Sequence, residues 1–375
     1  MNQLLSSQTA TRLANDLERG ISLPASWYTD PAILALENDR IFRRTWQYIG
    51  RTDQLTKPGD YVTGDAGNVP VVVVRNEQGL RGFVNVCRHR RHLVMTGAGN
   101  CKLLQCPYHA WCYDLDGCLK AAPRADREEG LNRADLALLP VRVDTWGPFV
   151  FVNADAQAPL LTYYFGELPD IIAGNGLDLA GLRFRQREEW RAAANWKVML
   201  ENYLECYHCP VAHPGFSSVI DVSPDAYVLQ PFEWFFTQHA PTRAGTDNGA
   251  AYDAHGAIVT AQYYYLWPNV TLSTNPGHPN LVLHVWLPDG PEHTRGFTER
   301  YFGPRVPDAF VQQMSAFSRQ VGAEDQALTS SVQLGLRASL PEQGRLLLKS
   351  EQLVLRFQRL VLRALAGEYP TSQAP

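Results

Sequence analysis

Two short stretches each carry one thiol and one imidazole. Cys87 and His89 lie in NVCRHRRHLV, and after sixteen intervening residues Cys106 and His109 follow in LQCPYHAWCYDLDG. Two sulfurs and two nitrogens would suit tetrahedral zinc. Zinc fingers, however, usually pair Cys with Cys and His with His, whereas here each loop offers one of each. One thiolate and one imidazole per loop suit a 2Fe–2S cluster in which one iron takes both cysteines and the other both histidines. His92 competes with His89 for the first nitrogen position.

A second constellation sits in NWKVMLENYLECYHCPVAHPGF, residues 195–216, with Glu201, Asn202, Glu205, His208 and His213. On a helix Glu205 and His208 share a face, but His208 and His213 diverge by about 140°. Pro210 lies between them, and a helix break there would let the imidazoles converge. Two histidines and one carboxylate form the facial triad of a non-haem iron(II) centre, with positions left for oxygen. The carboxylate comes from PDAFVQQMSAFSRQVGAEDQALTSSVQ, where Phe310, Met314, Phe317 and Val321 mark a buried helical stripe. The same register continues through Asp325 to Leu328 and Val332. Glu324 sits about 100° off that face, and a carboxylate on an apolar stripe needs a partner or a metal, so Asp325 is the candidate ligand.

These loops need rigid carriers. VVVV at 71–74, FVNV, KLLQC and GPFVFVNAD are strand-like, with turn signals between them, and read as a small β domain. AQYYYLWPNVTLST and LVLHVWLP read as strands of a later antiparallel sheet. SLPASWYTDPAILALENDRIF implies a helix near the start, and residues 344–367 an amphipathic helix with Leu346, Leu353, Phe357 and Leu360 inward. The division expected is 1–44 as a helical part of the catalytic domain, 45–155 as the β domain and 156–375 as the catalytic iron domain. With 34 basic against 38 acidic residues, the chain has no electrostatic footprint for nucleic acid. The absence of a leader or a long apolar run implies a cytoplasmic protein without a membrane anchor. Disulfides are rare in that setting, so the seven cysteines are expected to bind metal or to be buried, with Cys101, Cys112 and Cys118 as small buried hydrophobes.

The C-x-H loop and the C-P-x-H-x-W loop, here Cys106 to Trp111, resemble those of the Rieske non-haem iron oxygenases, and the resemblance extends from FRRTWQYIG to the Glu324-Asp325 pair. It implies an α+β fold, in which a small all-β Rieske domain is inserted in a helix-grip-like catalytic domain with an antiparallel sheet and helices covering the iron. It implies a Rieske cluster on Cys87, His89, Cys106 and His109, and a mononuclear iron on His208, His213 and Asp325. Oxygen is the cosubstrate. Asn202 and Glu205 are carried over as catalytic residues, and the assembly as a homotrimer in which Glu205 links the iron site to His109 of the partner subunit. Most ring-hydroxylating members have Asp at the place of Glu205, and Gly is frequent at that of Arg91. The chain lacks G-x-G-x-x-G and a second ferredoxin-type cysteine set, so a separate NAD(P)H-dependent reductase, with or without a ferredoxin, must supply electrons.

ENYLECYHC resembles the branch that acts on quaternary ammonium compounds such as carnitine, glycine betaine and stachydrine. Oxidation of a quaternary or tertiary methylamine, by N-demethylation or hydroxylation, is one expectation. Hydroxylation of an aromatic ring or aromatic acid is the alternative, and a non-catalytic electron carrier a third reading. Tyr203, Trp234, Tyr264 and Trp267 are candidate substrate contacts, because aromatic faces hold methylated ammonium by cation–π attraction.

Overall fold

Val71, Val72, Val73 and Val74 are all fully buried, which requires apolar cover on both faces of their strand. Strand Val69–Arg75 runs antiparallel between Asp60–Ala66 and Leu80–Val84. Gly67, φ +65°, turns the first hairpin where a Cβ would lie 2.7 Å from that of Phe42. With Gln47–Arg51, Pro140–Trp146, Phe149–Asn153 and the short Ala98–Asn100, these strands form a seven-stranded antiparallel sheet. A small three-stranded sheet, Leu104–Gln105, Cys112–Tyr113 and Leu119–Ala121, lies beside the loop that carries Cys106 and His109.

The computed structural model describes residues 5–243, 252 and 256–369. It divides into two compact units. Asn38–Leu161 is the β unit, against 45–155 read from the sequence, and it interrupts a unit made of Met1–Glu37 and Thr162–Tyr369.

The larger unit is built on a second seven-stranded antiparallel sheet. In spatial order its strands are Arg183–Ala192, Thr294–Phe302, Asn280–Pro288, Val270–Thr274, Thr260–Leu266, Phe235–Pro241 and Val228–Pro231. Because side chains alternate between faces, one face collects Glu188, Trp190, Thr298, Arg300, Val282, His284, Trp286, Ser273 and Tyr263, which the strand register places in line. Helix Trp196–Tyr203 starts where the Asn195 side chain accepts the Lys197 N–H at 2.9 Å. Lys197 and Glu37, each wholly buried, form an ion pair, and Trp196 Nε1 donates to Glu37 at 2.8 Å, tying residues before the β unit to residues after it. Breaking such a pair leaves a buried charge and costs about 3–5 kcal/mol.

Helix Asp308–Ala338 buries Val311 and Met314 and half-buries Phe310, Phe317, Val321 and Asp325. The expected continuation fails at Leu328 and Val332, which are exposed. Instead the line runs from Asp325 through Thr329 to Gln333, whose Oε1 accepts the Asn195 N–H at 2.9 Å, because this end of the helix packs on polar backbone. The last helix is Gln352–Ala366. It packs Leu353, Phe357 and Leu360 into the core, while residues 344–351 are not helical. Among the described residues no helix is long and apolar enough to cross a membrane.

Candidate active site

In the β unit the two cluster loops share one backbone design. Cys87 N–H donates to His92 O at 2.8 Å and Arg91 N–H to Cys87 O at 3.0 Å; Cys106 N–H donates to Trp111 O at 2.8 Å and Ala110 N–H to Cys106 O at 3.0 Å. The fourth residue after each cysteine is left-handed, Arg91 at φ 60° and Ala110 at φ 54°. This equivalence was not legible in the sequence, since neither position is glycine. Arg91→Gly should raise the unfolding free energy by up to about 1 kcal/mol in a denaturant titration, with the cluster absorption unchanged.

Both sulfurs are buried, whereas His89 and His109 are exposed. The His89 and His109 ring centroids lie 4.6 Å apart, and His89 stacks on Trp111 at 4.9 Å. No ring nitrogen of either histidine has a protein hydrogen-bond partner among the described residues. Burial, and Cys87 beside it, push the Cys106 thiol above its ordinary value. Adjacent buried sulfurs are stable as thiolates only beside a cation, so this donor set fits a 2Fe–2S cluster. His92 lies off the set, its Nδ1 against Leu93 O at 2.6 Å.

In the larger unit His208, His213 and Asp325 converge, with donor atoms all within 4.8 Å of one another. His213 Nε2 lies 3.2 Å from His208 Nε2 and 3.0 Å from Asp325 Oδ1. Their route together differs from the expected broken helix. Helix Trp196–Tyr203 ends before Glu205, and His208 and His213 flank the single turn Cys209–Ala212, in which Pro210 starts a helix rather than breaking one. Each imidazole rests on a carboxylate, His208 Nδ1 on Glu205 and His213 Nδ1 on Glu324 at 2.7 Å. Glu324, rejected as a ligand from its helical angle, thus holds a candidate ligand in place. Asn202 Nδ2 donates to Asp325 Oδ1 at 2.7 Å. Burial disfavours charge on His208, but hydrogen bonds to Asp325 and Glu205 raise its pKa to about 9. Asp325, buried yet paired with both imidazoles, is held well below the usual carboxylate range. Two nitrogens, one oxygen and ready carboxylate support fit a divalent iron.

The triad opens on a cavity of about 620 Å³, lined on the sheet side by Trp190, Tyr263, His284 and Trp286 and on the helix side by Tyr203 and Phe317.

Two sequence families match the chain: the Rieske 2Fe-2S domain over residues 45–143, and the ring hydroxylating alpha subunit (catalytic domain) over residues 179–367. Choline monooxygenase of Beta vulgaris, a chloroplastic protein, is 32% identical over 91% of this chain and 76% of its own length. The chain belongs to the Rieske non-haem iron oxygenases. The carnitine monooxygenase oxygenase subunit of Acinetobacter pittii is 29% identical over 91% of this chain and 94% of its own length. Among solved structures, a quaternary ammonium Rieske monooxygenase in complex with L-carnitine superimposes with a TM-score of 0.81 at 26% identity, covering 94% of this chain and 97% of that one. A naphthalene 1,2-dioxygenase from Rhodococcus, at 20% identity and a TM-score of 0.82, shares the fold. The oxygenase therefore carries a Rieske cluster and a mononuclear iron, uses O2, and is a terminal component that receives electrons from a separate protein.

Of the four aromatics expected at the oxygenase's substrate site, only Tyr203 lines the cavity. Tyr264 points to the opposite face of the sheet from Tyr263, where its hydroxyl meets Gln262 at 2.6 Å and Asn175 at 3.2 Å. Trp267 lies past the strand end against Phe357, and Trp234 packs on Tyr164 under Arg363. Strand register, unknown from sequence, decided which of Tyr263 and Tyr264 faces inward.

Two further expectations change. Cys206 and Cys209 are joined in a disulfide, one turn bringing their Cα atoms to 5.0 Å. Cys118 is exposed and Cys101 half-buried, so only Cys112 is the expected buried thiol. Glu201 does not line the cavity. Its Oε1 accepts from Tyr28 Oη at 2.6 Å and Gln358 Nε2 at 3.0 Å, and burial raises its carboxyl to about 7 against the pull of those bonds. An acid raised in this way stabilises the fold below its unfolded value, and that contribution is lost as pH climbs through 7. Glu201→Gln cannot ionise, so between pH 5 and pH 8 it should gain on the wild type by roughly 2 kcal/mol, measured by urea unfolding.

Proposed function

We propose that the oxygenase oxidises a small quaternary or tertiary methylammonium compound, by N-demethylation or hydroxylation. The observation that carries this reading is the cavity beside the iron triad, whose lining includes the aromatic side chains of Tyr203, Tyr263 and Trp286, a chemistry suited to a methylated cation. Such contacts contribute roughly 0.5–2 kcal/mol each. The choline and carnitine oxidation named for its relatives supports the same class.

His208, His213 and Asp325 would hold the mononuclear iron; Cys87 and Cys106 would hold one cluster iron, and His89 and His109 the other. When bound, these groups would supply one-electron delivery and oxygen activation. The surrounding residues position them. Asn202 fixes the Asp325 carboxylate, and Glu205 and Glu324 fix the two imidazole rings so that both Nε2 atoms face inward. We assign Glu205 as the link through which electrons arrive from His109 of the partner subunit, in a head-to-tail homotrimer supplied by an NAD(P)H-dependent reductase. Exposure of His89 and His109 at the surface of the β unit suits that contact. A cytoplasmic setting completes the reading.

The test couples the loaded protein to a surrogate reductase and screens trimethylammonium compounds against aromatic acids. Oxygen uptake matched by formaldehyde or a hydroxylated amine is expected, with light scattering giving a trimer mass. Uptake matched by a hydroxylated arene alone would overturn the substrate assignment.

A further inference from the structure

His284 stands on the cavity face of strand Asn280–Pro288, opposite Thr298. Trp190 Nε1, which can only donate, gives its hydrogen to Thr298 Oγ1 at 3.1 Å. Thr298 Oγ1 lies 2.9 Å from His284 Nδ1, and no other acceptor for the Thr298 hydroxyl exists among the described residues. The arrangement that satisfies every group therefore has Thr298 donating to Nδ1. Burial and the Arg300 charge push the imidazole's pKa down to about 3, so the ring is neutral. Its single hydrogen must then sit on Nε2, which has no hydrogen-bond partner in the protein among the described residues. The cavity thus presents a fixed neutral donor.

The charge this donor feels most strongly is that of Arg300, ahead of the opposing Asp325 carboxylate. Arg300, two residues beyond Thr298 on the same face, gives Nη1 to Glu188 at 2.8 Å, while its buried Nε has no partner. Arg319 binds the other oxygen of Glu188, also at 2.8 Å. Two guanidinium groups share one carboxylate. Glu189 does not neutralise the excess, since its side chain is 80% exposed and turned toward Arg187.

We propose that His284 Nε2–H, backed by Arg300, anchors a carboxylate of the substrate, which makes the substrate a betaine rather than an amino alcohol. This rests on the quaternary ammonium reading and adds the second recognition element: aromatic faces take the cationic head, and the His284 wall takes the anionic tail. A wall that only donates leaves its donor unpaired against a hydrocarbon tail, and the Arg300 charge beside it favours an anion over a neutral hydroxyl or ester, whose oxygens accept but carry no charge.

The experiment compares product formation from glycine betaine and 4-trimethylammoniobutanoate with that from choline and 4-trimethylammoniobutanol. In the wild type, kcat/KM for at least one acid should exceed that for its alcohol by about 100-fold or more. His284→Phe should collapse that acid-to-alcohol ratio by at least about 10-fold, chiefly through KM of the acid, and His284→Gln, which keeps an N–H donor, should retain part of it. Because the acid-to-alcohol ratio is first read on the wild type, a variant that fails to fold does not spare the proposal. Equal use of acid and alcohol by the wild type, or an unchanged ratio in a folded His284→Phe protein, would overturn the anchor while leaving the quaternary ammonium reading intact. Failure of all four compounds alongside oxidation of an arene would sink both.

Discussion

His213→Ala is expected to abolish product formation while leaving the Rieske cluster's absorption and reduction unchanged. His213 is only 3% exposed, its Nε2 is 3.0 Å from Asp325 Oδ1, and its Nδ1 is held by Glu324. Removal of the ring deletes one of three candidate ligands and leaves Glu324 Oε2 without its imidazole, while Gln320 still holds Oε1. Changes one step further from a metal typically cost roughly 10- to 100-fold in affinity or activity, so the loss here should exceed that range. Iron analysis should show that the non-cluster iron is lost and the cluster iron kept, because Cys87, His89, Cys106 and His109 belong to the other compact unit. A variant that still forms product would remove the triad from the chemistry and return the chain to the reading of a plain electron carrier.

Glu205→Gln is expected to lower kcat by about 100-fold with both iron centres retained. The Glu205 carboxylate receives His208 Nδ1–H and the amide hydrogens of Tyr207 and His208. Glutamine keeps one acceptor but sets an N–H donor against backbone donors and removes the charge that strengthens the hydrogen bond to the imidazole. If Glu205 is also the link to His109 of the partner subunit, reoxidation of the reduced cluster by oxygen should slow in proportion to kcat. Glu205→Asp keeps the charge with one methylene less reach, and should recover part of the loss. A Glu205→Gln protein within two-fold of wild type would show that electrons take another path.

Much of the candidate metal site was legible because it is local. Cys87 with His89, and Cys106 with His109, each belong to one tight loop, so spacing alone constrains the ligand set. Asp325 was legible because a carboxylate on the line of Phe310, Met314, Phe317 and Val321 needs a partner. What sequence could not give is register and end effects. Tyr263 and Tyr264 are neighbours of the same type, and only the pairing of Tyr263 with Ser273 shows which faces the cavity. Glu205 and His208 have helical spacing, yet the helix stops at Tyr203 and a separate turn carries the histidines. Leu328 and Val332 fit the stripe by spacing but are exposed, because beyond Asp325 the packed line shifts to the polar Thr329 and Gln333. His284 carried no signal at all, since its role depends on Thr298 and Trp190 from two other strands.

The most direct measurement is a single turnover. The iron-loaded protein is reduced anaerobically, mixed with a trimethylammonium compound and pulsed with oxygen, and the products are read by mass spectrometry and a formaldehyde assay. The expected result is cluster reoxidation accompanied by near-stoichiometric oxidised amine or formaldehyde, and no reaction with an aromatic acid. Cluster reoxidation without any amine product, together with a hydroxylated arene, would contradict the assignment of this oxygenase to methylammonium substrates.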